Sequence, residues 1–167
     1  VHWVGMTVNF FVGQSAELAT GIVRKAPEQT INPPMMGGAL IQFTNGFATF
    51  GFDGNSKQES EERITITRSK GILSAVSPVC KINHVKLETE TAVSTAHLED
   101  EWFDDGFRGT MGELLCSIEE QRKPFNSARN NLDTLAAVFA IIGSADSGQT
   151  VPVGSHRQLD EKCQPTA

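Results

Sequence analysis

Between Trp3 and Val12 the apolar residues Trp3, Val4, Met6, Val8, Phe10 and Phe11 cover most of a helical surface, and Gly13 supplies a stop. The pattern predicts a short, largely buried opening helix. A variable segment carrying Pro27, Pro33 and Pro34 follows. From Gly38 to Phe52 the dipeptide Asn45-Gly46 separates ALIQFT from FATFGF. Asn-Gly tolerates positive φ at both central turn residues, so this stretch predicts a β-hairpin. ERITITR, residues 62–68, alternates Ile64 and Ile66 with polar partners, turns at Ser69-Lys70-Gly71 and returns through Ile72, Leu73 and Val76 as a second hairpin. A third strand pair is predicted across 81–95, where β-branched residues are dense and Val85 and Leu87 alternate with charges.

The period then changes to that of a helix. Thr110-Met-Gly-Glu113 reads as a capping box, in which hydroxyl and carboxylate each satisfy an orphan helix N–H, and Met111, Leu114, Leu115 and Ile118 follow at helical spacing up to Pro124. Ser127 is positioned to cap another helix with Leu132, Leu135, Ala136, Phe139 and Ile142 as its apolar stripe and Gly148 as its stop. Val151-Pro152-Val153 predicts a short edge strand, and the polar stretch after Gly154 carries no period and is expected to fray. Strands followed by helices give an α+β fold, a mostly antiparallel sheet with helices packed on one face and an open face available for oligomerisation. The expected division is a domain over 1–153 and a polar tail over 154–167.

Charge narrows the function classes. Fourteen Lys and Arg against 20 Asp and Glu leave a formal charge of −6, with no basic run. Nucleic acid and anionic membrane surfaces draw on Lys and Arg, so neither is an expected partner. The longest apolar run, 135–142, falls short of the roughly 18 residues of a membrane span. Three cysteines without a C-x-x-C pair, and no N-x-[ST] sequon, fit a reducing cytoplasm. The first residue is Val, directly before a patterned apolar stretch, which points to a piece of something longer.

Most chemical motifs fail on mechanical grounds. None of the 15 glycines stands two residues from another, so the G-x-G-x-x-G that lets a backbone approach a pyrophosphate is missing and no cofactor-binding residue is assigned. Residues 143–150 approach a phosphate loop, but Gln149 replaces the lysine and the segment ends a helix instead of opening one. The acidic stretch Glu99, Asp100, Glu101, Asp104, Asp105 has Phe103 where a Ca2+ loop needs an oxygen ligand, and reads as a solvated loop. His2, His84, His97 and His156 never pair at i, i+4, and Cys80-x-x-x-His84 alone is weak, so no metal site is assigned and the last three histidines are read as structural or surface residues. No G-x-S-x-G nucleophile elbow occurs.

Taken in order, His2 with its apolar helix, the Asn-Gly hairpin, ERITITRSKGIL, the stretch from Trp102 to Gly148 and the final VPV resemble the C-terminal half of a Gfo/Idh/MocA-type oxidoreductase. The resemblance runs from His2 to about Val153, and 102–148 is its most specific part. It implies a parent with an N-terminal Rossmann domain binding NAD or NADP. The present domain then closes over the nicotinamide, supplies substrate contacts and oligomerises through its sheet. It also implies that His2 is the catalytic acid/base of a D-x-x-x-H pair whose Asp precedes Val1. An imidazole, with an ordinary pKa of about 6.5, suits the removal of a hydroxyl proton as hydride leaves the carbinol carbon.

Two positions depart from that family's pattern: Gly5 stands where an acidic residue is frequent, and Arg68 where a turn glycine is usual. Substrate-facing positions carried over by the resemblance are Asp53, Asn55 and Lys57, with Trp102, Asp104, Asp105 and Arg108 in the segment before the GTMGELL helix. Asp and Arg hydrogen-bond hydroxyls, and Trp offers a face to a sugar ring. The implied function is the substrate-binding and oligomerisation half of an NAD(P)-dependent dehydrogenase acting on a sugar or polyol-like alcohol. The chain by itself is expected to be inactive and to bind no cofactor. The alternative is a stand-alone, non-catalytic interaction or ligand-binding module of the same fold. Both imply a homo-oligomer, expected to be a two-fold dimer through the sheet face.

Overall fold

The computed structural model describes residues 1–11, 13–58, 60–99 and 102–155. The predicted tail lies almost wholly outside the described residues, as do Asp100, Glu101, His156 and Cys163. The chain divides into two compact units, one of Val1–Asn55 together with Asn126 onward, the other Ser56–Phe125.

The first unit holds helix α1 (His2–Phe10), strands β1 (Ala16–Arg24), β2 (Met36–Phe43) and β3 (Gly46–Asp53), helix α3 (Leu132–Ser147) and the short strand β8 (Val151–Pro152). Its antiparallel sheet has the order β3-β2-β1-β8. Register places Ala19 opposite Ile41 and Ile41 opposite Ala48, with Gly21, Ala39 and Phe50 as the next row on the same face. Val4 of α1 and Ala137 of α3 close over Ile41 and Phe43, and Phe43 is only 4% exposed. Fully burying such side chains stabilises by about 1.5–3 kcal/mol each. Phe11 stacks on Phe43 with ring centroids 3.9 Å apart.

Helix α3 buries a different face from the one its large residues predict. Thr134, Ala137, Ala140, Gly143 and Ser144 are buried, whereas Leu132 and Ile142 are exposed. The cause is close packing on β1, where a Cβ on Gly21 would stand 2.3 Å from the Ile141 carbonyl oxygen. Only small side chains fit such a contact. The Gly21 N–H donates to Ser144 Oγ at 2.9 Å, so the buried hydroxyl is satisfied. Helix α1 also packs on α3, with Gly5 facing the Thr134 side chain. The opening helix is less buried than predicted: Val4 is its buried residue and Phe10 is exposed.

Strand β1 was not expected. Its inward positions are Ala19 and Gly21, which are too small to produce a hydrophobic alternation. The Asn-Gly hairpin forms, but its two-residue loop is Thr44-Asn45, and neither Asn45 nor Gly46 adopts positive φ. Contacts from the chain before β1 hold the turn instead: Thr44 N–H donates to the Ser15 carbonyl and Asn45 N–H to Gln14 Oε1. Gly46 is required for another reason, since a Cβ there would lie 2.9 Å from the Phe11 ring. Ser127 does not cap α3. Its Oγ accepts Asn130 N–H in the turn before the helix, and Asn131 takes the N-cap position. Gly148 ends α3 as expected, with φ 69° and its N–H on the Ser144 carbonyl. β8 pairs with β1 as the predicted edge strand.

The second unit holds strands β4 (Glu61–Arg68), β5 (Gly71–Pro78), β6 (His84–Glu88) and β7 (Val93–His97) in an antiparallel sheet of that order, and helix α2 (Trp102–Glu119). Both predicted hairpins are present, so the α+β class holds, with two antiparallel sheets and three helices among the described residues. Arg68 pairs with Gly71 at the first hairpin's end. Gly71 meets the tight demand there, since its φ is +155° and a Cβ would stand 2.3 Å from the Glu88 carbonyl oxygen.

Helix α2 overturns the capping-box expectation. It starts at Trp102, with Asp104 and Asp105 in the first turn where carboxylates complement the helix dipole, so Thr110 lies inside it. Glu113 bonds both Nη1 and Nη2 of Arg122 and accepts Phe125 N–H at 2.9 Å. The predicted stripe Met111, Leu114, Leu115, Ile118 is exposed, and Ser117 is the buried residue of α2.

Candidate functional site

His2 is the first residue of α1 and is exposed, with Val1 at the N-cap and the Gly5 N–H closing the first turn on the Val1 carbonyl at 2.8 Å. Gly5, where the resemblance makes an acidic residue frequent, has a packing role. A Cβ there would stand 3.3 Å from Thr134 Cγ2, so a larger side chain would press α1 away from α3. Asp53 closes β3, and its Oδ1 accepts the Asn55 N–H at 2.9 Å. The two residues thus form one Asx turn at a strand end.

The remaining substrate-facing candidates belong to the other unit. Lys57 is exposed in the connection to β4. Trp102, Asp104, Asp105 and Arg108 lie within α2 itself and not in a segment preceding a helix. Asp105 and Arg108 form an ion pair one turn apart. The pairing brings a carboxylate and a guanidinium together on the helix surface. Trp102 is 41% exposed, with its ring centroid 5.2 Å from that of Phe103, and Phe103 in turn stacks with Phe107 at 6.4 Å. The first turns of α2 therefore carry three aromatic side chains together with a carboxylate–guanidinium pair.

The strongest ionic cluster of the second unit lies at the other end of that helix. The Arg122 guanidinium, helped by the Phe125 N–H, lowers the Glu113 carboxyl to about 2, and the same pairing raises Arg122. This cluster ties the chain after α2 back onto the helix. Sequence spacing did not reveal another arrangement: His84 and His97 stand opposite each other on β6 and β7, thirteen residues apart in the chain, with His97 Nδ1 3.2 Å from His84 Nε2. Only the mirror positions of the two residues about the 89–92 turn carried that information.

No protein-family profile matches the sequence, and no curated protein matches it. Solved structures do match, among them oxidoreductases of the Gfo/Idh/MocA type. An oxidoreductase from Agrobacterium radiobacter, in complex with NAD+, L-tartaric acid and magnesium, superposes with a TM-score of 0.73 at 16% identity over 90% of this chain and 47% of that one. The WlbA dehydrogenase from Bordetella pertussis, in complex with NADH and UDP-GlcNAcA, gives 0.66 at 22% identity over 95% and 44%. Aldose-aldose oxidoreductase from Caulobacter crescentus, complexed with glycerol, gives 0.68 at 14% identity over 90% and 45%. At these identities the likeness is one of fold. The chain spans about half the length of the solved chains it matches.

Proposed function

We propose that this chain is the substrate-binding and oligomerisation half of an NAD(P)-dependent oxidoreductase acting on a sugar or polyol-like alcohol. The observation that carries the reading is the match of nine-tenths of this chain to about half of each of several oxidoreductase chains. Structures of that fold were solved with NAD+ or NADH and with UDP-GlcNAcA, L-tartaric acid or glycerol, all polyoxygenated molecules.

The described residues do not fit a dinucleotide by themselves. Both sheets are antiparallel, and a pyrophosphate cradle needs a glycine turn between a parallel strand and a helix N-terminus. Cofactor binding in this proposal therefore belongs to the remainder of the parent protein. The role of this chain is to bind and orient the alcohol and to move its proton. His2, exposed at the head of α1, accepts the hydroxyl proton as the carbinol is oxidised and returns it in the reverse direction. Asp53, Asn55, Lys57, Trp102, Asp104, Asp105 and Arg108 are the proposed hydroxyl and ring contacts.

The proposed oligomer forms through the face of the first sheet opposite α1 and α3. Register puts Leu18, Leu40 and Phe47 on that face among Thr20, Gln42 and Thr49, and Phe47 is 67% exposed. An apolar sheet face of this kind is covered by a second copy in a two-fold assembly.

The test is His2→Ala in the parent protein, with dinucleotide affinity measured alongside turnover of a polyol panel. Loss of a general base lowers kcat by about 100- to 10,000-fold while dinucleotide affinity stays within experimental error. A parent that reduces no nicotinamide with any sugar or polyol would count against the enzyme reading. Unchanged kcat in His2→Ala would count against the role of that residue.

A further inference from the structure

We propose that His84 and His97 form a chelating site for one divalent first-row transition-metal cation on the β6–β7 hairpin. The two residues are directly paired, and the Leu98 N–H donates to the Asn83 carbonyl at 2.7 Å, just outside the pair. That bond makes His84 and His97 a non-hydrogen-bonded pair, the register at which side chains of antiparallel strands approach most closely. Their rings lie 4.6 Å apart between centroids, tilted by 55°, with His84 Nε2 and His97 Nδ1 separated by 3.2 Å.

That separation matches the bite of a metal ion. Two imidazole nitrogens, each about 2.0–2.1 Å from a tetrahedral Zn2+, stand about 3.3–3.4 Å apart. The separation therefore already suits the ion, and each ring turns until its lone pair points about 35° off the N–N line toward the cation. Imidazole suits Zn2+, Ni2+ and Cu2+ over Mg2+ or Ca2+, which prefer oxygen. Among the described residues no group of three or more His, Cys, Asp or Glu converges on one point, so water completes the coordination.

The surroundings already orient one ligand. His84 Nδ1 lies 2.7 Å from Asn83 Oδ1, which fixes the proton on Nδ1 and leaves Nε2 as a lone pair facing His97. Without metal, His97 Nδ1–H donates to that lone pair. With metal, His97 carries its ring N–H on Nε2 and turns the Nδ1 lone pair to the cation, a change of tautomer. Lys86 shares this face two residues along β6, and its ammonium is paired with Glu88 at 3.0 Å, which offsets the charge it presents to a cation. Both histidines are exposed, so the site is open to solvent. Metal binding would pin the edge strand β7 to β6.

The probe is Zn2+ alone, titrated into the untagged chain by calorimetry in a buffer that does not chelate, with His84→Ala, His97→Ala and Cys80→Ser alongside. Wild type is expected to bind one equivalent, and each histidine variant to lose about tenfold or more in affinity, with Cys80→Ser within threefold of wild type. Circular dichroism checks that the exposed-site variants fold. In the wild type, the 15N signals of His84 Nε2 and His97 Nδ1 should shift together on titration. Wild-type binding weaker than about 1 mM, a smaller loss in either histidine variant, or a loss beyond threefold in Cys80→Ser overturns the proposal.

Discussion

A Cβ on Gly21 of β1 would stand 2.3 Å from the carbonyl oxygen of Ile141 in α3, closer than any packed side chain tolerates. The strand and the helix meet backbone to backbone at this point, and the Gly21 N–H fills the remaining gap by donating to Ser144 Oγ. Gly21→Ala should therefore destabilise the first unit by about 1–3 kcal/mol through overpacking. Gly51→Ala on β3, where nothing lies within 4 Å of the added methyl, should be neutral or stabilising by up to about 1 kcal/mol. Urea midpoints of the two variants check the contrast, and equal midpoints would show that α3 simply moves aside.

Phe43 and Phe47 lie on the same hairpin but on opposite faces of the sheet. Phe43→Asp leaves an unpaired carboxylate among Val4, Ile41 and Ala137, so the first unit should fail to fold. Phe47→Asp should leave the circular dichroism unchanged while sedimentation shows an oligomer falling to monomer. An unaltered mass with Phe47→Asp would exclude this face as the proposed contact.

The Glu113 clasp predicts a pH dependence whose sign is fixed by its depressed carboxyl. Folded, the group titrates at about 2 against an ordinary 4.5, so the unfolded chain takes up the proton first on acidification. The contribution is complete above about pH 4.5 and is lost as the pH falls toward about 2. In Glu113→Gln the acid-dependent loss of stability over this window should be smaller than in wild type, with faster hydrogen exchange at Phe125 at neutral pH. Identical acid titrations of the two proteins would refute the assignment.

Gln121 ends α2 in the left-handed region, at φ 53°, while Arg122 N–H reaches back to the Ser117 carbonyl at 2.9 Å. A glycine adopts that conformation without the Cβ penalty. Gln121→Gly should raise stability by about 1 kcal/mol, read as an increase in the urea midpoint at constant slope.

Much of the fold was legible from the residues alone. The strand pairs flanking Asn45-Gly46 and Ser69-Lys70-Gly71, the pair expected across 81–95, the Gly148 stop and the short strand at Val151 all follow from local pattern, although the first turn sits on Thr44-Asn45 and is held by Ser15 and Gln14. What failed was local pattern where tertiary packing rewards small residues. β1 was hidden because Ala19 and Gly21 are its inward side chains, and α3 presents Ala137 and Ala140 instead of its leucines for the same reason. The capping box failed because Asp104 and Asp105 start α2 earlier and Arg122 claims Glu113.

By itself the sequence determined the α+β class, the order of most elements and the resemblance that led to His2, because turn residues and hydrophobic period act over a few neighbours. Register and helix phase were decided only in three dimensions. A one-residue slip would exchange Phe43 with its neighbours between the two faces, and the close approach at Gly21, not the hydrophobic period, selects the buried face of α3. The meeting of His84 with His97 likewise depends on strand pairing, which brings together residues that no linear spacing marks as partners.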